Sequence, residues 1–148
     1  MLEQPLPRIF FDTSVVIAGT ASMKGASYIL MQLAGLTLID GRISPEVRLE
    51  AERNVALKMT AALPALRILL REALKEGPSP SEAEFNTAAA YAHPKDMIIL
   101  ASAVAQNCQY LVTLNEKDFW PPPAIIKIVR PGELLRAVRR QLTQLEEE

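Results

Sequence analysis

The sequence predicts an α/β fold: a single domain of 148 residues built on a mainly parallel sheet with helices on both faces. Three observations predict it. Short apolar runs of strand length alternate with longer segments of helical periodicity. Apolar residues make up 49% of the chain and aromatics only 5%, which gives an aliphatic core in a chain long enough to bury one. Acids sit where these segments meet: Asp12, Asp96 and Asp118. In open α/β sheets the carboxyl ends of the strands are where ligands bind.

The elements follow in order. Arg8-Ile9-Phe10-Phe11-Asp12 reads as a buried strand with a carboxylate at its tip, and a helical segment starts near Thr13. Residues 24–36 form the next helix, with Ile29, Leu30, Leu33 and Leu36 at helical spacing. Leu36-Thr37-Leu38-Ile39 reads as a strand, Asp40-Gly41 as a turn, and Arg42-Ile43 as an extension or resumption of the strand. Ser44 is an N-cap and Pro45 the first helical position, and Val47, Ala51, Val55 and Met59 then make one buried stripe. Pro64 begins a further helix with Leu66, Leu69, Leu70 and Leu74 inward. Gly77-Pro78-Ser79-Pro80-Ser81 is a loop, and residues 82–92 are helical by composition. His93-Pro94 opens a helix that runs to about Asn107. Tyr110-Leu111-Val112-Thr113 is a strand, Trp120-Pro121-Pro122-Pro123 a loop, and 125–129 the last strand. Pro131 opens the C-terminal helix, with Leu134, Leu135, Val138 and Leu142 inward and Glu146-Glu147-Glu148 as a frayed acidic end.

Composition excludes several classes. A net charge of -1 and a pI near 5.9 give no global attraction to nucleic acid or membrane, so any nucleic-acid site must be a local patch. With Cys108 as the one cysteine, there is no intramolecular disulfide and no Cys-based zinc site; it is expected as a small core residue. His93 is the one histidine, which removes His-rich metal sites and weakens a Ser-His-Asp arrangement; it is expected in a turn. Trp120 is expected as a packing anchor. The six glycines are scattered, so no phosphate-binding loop is formed. No secretory signal is visible, and the apolar run 97–105 is far shorter than the ~20 residues that span a bilayer. The expectation is a soluble cytoplasmic protein without a membrane partner.

The acids carry the chemistry. Each has an ordinary role open to it. Asp12 can cap the helix at Thr13, Asp96 suits a helix start, Asp118 can fix a turn, and Glu50 can be an exposed helix residue like Glu46 and Glu52. Together they point elsewhere. Three acids at element junctions and one on a helix flank can meet at one sheet edge, where they would repel one another unless a cation lay between them. Carboxylates without His or Cys suit a hard metal.

Here the chain resembles the PIN-domain ribonucleases, of the kind found as VapC-like toxins, over almost its whole length. Ile9-Phe10-Phe11-Asp12-Thr13-Ser14 is similar to the family's opening strand and acid. Residues 43–50 resemble the second motif, with Glu50 as its acid by register. Pro94-Lys95-Asp96 followed by Ile99-Leu100-Ala101-Ser102-Ala103 resembles the third, residues 110–119 the fourth, and Pro131-Gly132-Glu133-Leu134-Leu135 the start of the last helix. The third and fourth motifs with their spacing are the specific part. The chain departs from the pattern at Asn115, where many members carry Asp, so that Asp118 would supply that carboxylate.

The resemblance implies a PIN-like three-layer α/β/α domain with four to five strands, one of them short or absent. It implies a metal-dependent endoribonuclease in which Asp12, Glu50, Asp96 and Asp118 hold Mg²⁺ or Mn²⁺. Ser14, Thr113 and Asn115 would steady those ligands, and Arg48, Lys95 and Lys117 are candidate phosphate contacts. It further implies an RNA substrate, a small antitoxin partner and a homodimer, for which the helices between Ser44 and Leu74 offer a surface. Two other readings compete. One is a PIN-like RNA- or protein-binding module with weak or no nuclease activity, which Asn115 leaves open. The other is a phosphohydrolase with Asp12 as nucleophile; it needs an acid two residues on, where this chain has Ser14.

Overall fold

The computed structural model describes residues 6–89, 96–119, 123 and 125–147. Its centre is a five-stranded, all-parallel sheet. The strands are β1 (Arg8–Phe11), β2 (Asp40–Ile43), β3 (Lys75–Glu76), β4 (Tyr110–Val112) and β5 (Lys127–Val129), in the order β3-β2-β1-β4-β5. Seven α-helices connect and flank them: α1 (Thr13–Ala21), α2 (Ala26–Gly35), α3 (Pro45–Lys58), α4 (Leu63–Glu72), α5 (Glu82–Ala88), α6 (Met97–Ala105) and α7 (Pro131–Glu147). α1 packs on α2, α3 and α4, and α2 on α7; α5 packs on α6, which lies against β2 and β4. The arrangement is a three-layer α/β/α fold.

The strands are continuous apolar runs because both faces are covered. Ile9, Phe10, Phe11, Leu111 and Val112 are wholly buried. Ile9 pairs with Tyr110 and with Gly41, so β1 lies at the middle of the sheet. The stripe on α3 is as expected: Val47, Ala51 and Val55 are fully buried, with Met59 partly so at the C-cap. Ser44 accepts from the amide of Val47, and Pro45 opens the helix. Cys108 is buried, and burial pushes its thiol pKa up to about 12.

Four expectations need correction. The second strand is Asp40–Ile43, not 36–39. α2 ends at Gly35, Thr37 takes φ 58, and Leu36 and Leu38 face solvent. Asp40 and Gly41 form no turn. Asp40 is drawn into the strand by Arg8 and Arg42, which donate to it at 3.0 and 2.9 Å. A Cβ at Gly41 would lie 2.8 Å from Leu74 Cδ2 and 3.0 Å from Ala34 Cβ, so the glycine admits close helix packing. Leu142 is 43% exposed; among the described side chains of α7, Leu134, Leu135 and Val138 meet the core. Glu146 and Glu147 lie in the last turn of α7, and Glu148 lies outside the described residues. Finally, the stripe between Ser44 and Leu74 is intramolecular core, which removes it as a dimer surface; α3 and α4 present Leu49, Leu57 and Ile68 outward instead. The strand expected to be short is β3, two residues long and placed before Gly77. His93, Lys95 and Trp120 lie outside the described residues.

Candidate active site

All five strands point the same way, so their carboxyl ends share one edge. Asp12 follows the last residue of β1 there, in the middle of the sheet. Its backbone amide donates to Val112 O at 3.0 Å, which continues the β1–β4 ladder by one residue and fixes where the side chain starts. It is also the N-cap of α1: Oδ1 accepts from the amide of Thr13 at 2.8 Å.

The second oxygen of Asp12 is held by two hydroxyls. Thr113 Oγ1 donates to Oδ2 at 2.7 Å and Ser14 Oγ donates to it at 3.1 Å. Each hydroxyl is oriented by an amide from the same turn: Asn115 N donates to Thr113 Oγ1 at 3.0 Å, and Leu114 N to Ser14 Oγ at 3.2 Å. A hydroxyl that accepts from an N–H has its own proton left for the carboxylate. The segment after β4 thus positions Asp12 through Ser14 and Thr113.

Glu50 approaches from α3, where Thr13 Oγ1 donates to Oε2 at 3.2 Å. Thr13 therefore ties the two acids together, its amide on Asp12 and its hydroxyl on Glu50. This residue was not singled out from the sequence. The available signal was a hydroxyl at the first helical position directly after a strand-tip acid. Burial pushes the Asp12 carboxyl above its ordinary range; bonds from Thr113, Ser14 and Thr13 oppose that shift, and the Glu50 charge adds to it.

Asp96 is the N-cap of α6, half-buried, with no side-chain bond to the first turn of that helix. α6 precedes β4 and runs back against it, so its N-terminus lies toward the carboxyl edge. Asp118 closes a 3₁₀ turn, Glu116–Asp118, beyond Thr113; its amide donates to Asn115 O at 3.0 Å. Asp12 and Glu50 are brought together. Asp96 and Asp118 do not complete a set with them: among the described residues no group of three or more His, Cys, Asp or Glu side chains could hold a metal ion. By donor chemistry the Asp12–Glu50 pair suits a hard divalent cation, since the two charges disfavour each other and no thiolate or imidazole adjoins them in the described structure.

Of the candidate phosphate contacts, Arg48 is neutralised by Glu52 and Glu76, at 3.5 and 2.8 Å, and Lys117 is exposed on the 3₁₀ turn. Along the exposed side of α3, Glu46, Leu49, Glu50, Arg53, Asn54 and Leu57 line a groove of about 420 Å³ that begins at the Glu50 end of the site. Among the described residues no helix is long and apolar enough to cross a membrane.

No curated protein sequence matches the chain significantly. The fold is similar to several solved structures. VapBC2 from Rickettsia felis bound to a DNA fragment from their promoter shares 15% identity at a TM-score of 0.65, over 82% of this chain and 96% of that one. DNA-bound VapBC from Salmonella typhimurium shares 16% at 0.67, over 85% and 99%. FitAcB from Neisseria gonorrhoeae shares 18% at 0.58, over 84% and 98%. Identities this low speak for the fold alone. The sequence itself matches the model of the PIN domain across residues 8–117, from β1 through the 3₁₀ turn that follows β4. The chain belongs to the PIN-domain family.

Proposed function

We propose that the protein is a metal-dependent endoribonuclease, the toxin of a toxin–antitoxin pair. One observation carries the reading: a buried Asp12 at the tip of the central strand, gripped by Thr113, Ser14 and Thr13, with Glu50 tied to it. Asp12, Glu50, Asp96 and Asp118 would hold Mg²⁺ or Mn²⁺. When bound, the ion supplies an activated water and neutralises the phosphate under attack. The chain's own residues do the rest. Ser14 and Thr113 fix Asp12 Oδ2, the Thr13 amide fixes Oδ1, and the Thr13 hydroxyl sets the Asp12–Glu50 spacing.

The partners follow from the same reading. The VapBC structures of like fold support a small antitoxin here. The Leu49–Leu57 face of α3, which borders Glu50, is the surface we assign to a protein partner, either antitoxin or second copy. A second reading, an RNA- or protein-binding module with little activity, draws on Asn115 in place of an acid and on the absence of a three-acid group among the described residues.

The test is cleavage of a mixed RNA pool in Mn²⁺, with EDTA as control. Asp12→Asn and Asp96→Asn keep shape and remove one charge, and each is expected to lower the rate by at least ~100-fold, the scale of losing a ligand or its support. Asp118→Asn should be severe and Asn115→Asp tolerated. Full activity in EDTA or in Asp96→Asn would overturn the mechanism; an inert wild type on every RNA would favour the binding module.

A further inference from the structure

Net charge of -1 requires any nucleic-acid surface to be local. Arg48, the candidate beside Glu50, is spent on Glu52 and Glu76. The uncompensated charge lies elsewhere. Residues 127–140 carry Lys127, Arg130, Arg136, Arg139 and Arg140 against one acid, Glu133. Arg130 is engaged with Glu116 and Leu114 O. Lys127, Arg136 and Arg140 are exposed, form no ion pair among the described residues, and converge. With Tyr110 and Glu133 they line a groove of about 250 Å³ between β4, the edge strand β5 and α7.

We infer that this groove binds the phosphate backbone of RNA at a distance from Asp12. Three cations against one acid suit a polyanion, and each is a long, mobile side chain of the kind that touches phosphates without reading bases. The exposed groove residues are chiefly charged, which does not suit the apolar anchor of a protein partner. Tyr110 stands three residues before Thr113 on β4, ~10 Å along an extended strand. On the ribonuclease reading, the groove would hold the flank of a chain whose scissile bond is at Asp12. All three cations lie beyond residue 117, outside the span of the PIN-domain match, while Tyr110 lies within it. The choice of RNA among polyanions rests on the ribonuclease reading.

The experiment measures binding of the full chain to a fluorescein-labelled 20-nucleotide polyuridylate by anisotropy, in EDTA, across a salt series. Arg136→Gln/Arg140→Gln is compared with a charge-matched control, Lys24→Gln/Arg67→Gln, which changes exposed basic residues on α4 and before α2. The first pair should reduce the slope of log K against log salt by about 1.4, or ~0.7 for each phosphate no longer neutralised. Affinity at low salt should fall at least tenfold, and the control should keep the wild-type slope. Circular dichroism checks that both variants are folded; if the double variant is not, Lys127→Gln alone is read for a slope change of ~0.7. Equal slopes in both doubles overturn the proposal, as does failure of the wild type to bind at low salt. Displacement of RNA by polyglutamate of matched charge at equal concentration also overturns it, in favour of an acidic protein segment. Specific loss of binding in a protein that cuts no RNA in Mn²⁺ would sink the nuclease reading and leave the groove standing.

Discussion

Asp12 and Asp40 are both aspartates at strand ends, and their surroundings push them in opposite directions. Burial raises the Asp12 carboxyl, and its three hydrogen bonds do not cancel that effect. Burial acts to raise Asp40 too, but Arg42 binds both its oxygens and Arg8 adds a further bond, so the net shift is downward. The stability consequences are opposite. A carboxyl with a raised folded pKa contributes stability that is complete below its unfolded value and is lost as pH rises through the folded value. At neutral pH the charge of Asp12 is therefore a cost. In metal-free buffer Asp12→Asn should raise the melting temperature, on the order of 2–4 °C, the change that ~1 kcal/mol makes in a domain of this size. A carboxyl with a lowered pKa contributes stability that is present above its unfolded value and is lost as pH falls through the folded one. Asp40→Asn should lower stability at pH 7 by roughly 1 kcal/mol, discounted for partial exposure, and lose the difference in acid. Urea titrations of both variants at pH 7 and pH 3 check the signs; destabilisation by Asp12→Asn at pH 7 would show that its hydrogen bonds outweigh burial.

At the scale of elements, most of the sheet and helix order was legible from strand-length runs and caps. Ser44-Pro45 announced α3, and the four-residue spacing from Val47 announced its buried side. β2 was misplaced by four residues because Asp-Gly is a strong local turn signal, whereas what holds Asp40-Gly41 extended is non-local. Arg8 stands 32 residues away from Asp40, and Leu74 is 33 residues beyond Gly41. Gly41 does not have a positive φ, so its role is space. Gly41→Val should then destabilise by about 1–3 kcal/mol through overpacking, although valine favours strands. Ser44→Ala should cost about 1 kcal/mol by removing the cap on Val47. Chevron or equilibrium urea data would separate these from the neutral outcome expected if residue 41 sat in an open turn.

At the scale of the whole molecule, five parallel strands collect at one edge what the sequence spreads over a hundred residues. The strand-tip acid was visible in the sequence because an apolar run ended in it. Ser14 and Thr113 were named from the family resemblance, whereas the Thr13 bridge was not, because it depends on α1 packing against α3, a contact that no local pattern reveals. The same edge sets the last prediction. Asp12 and Glu50 disfavour each other's charge, and α6 and the 3₁₀ turn carry Asp96 and Asp118 on the segments that flank β4. A divalent ion that draws these segments in binds the folded chain alone, so Mg²⁺ or Mn²⁺ should raise the melting temperature with concentration by mass action, about 2.7 kcal/mol at a hundredfold excess over Kd. The scan should extend to millimolar metal. Asp96→Asn should remove most of the gain. Asp12→Asn should remove it while starting from a higher metal-free melting temperature, so the two variants approach the same insensitivity from different baselines. A wild-type melting temperature that does not move with either ion at neutral pH would count against a metal site at this edge, whatever the cleavage assays return.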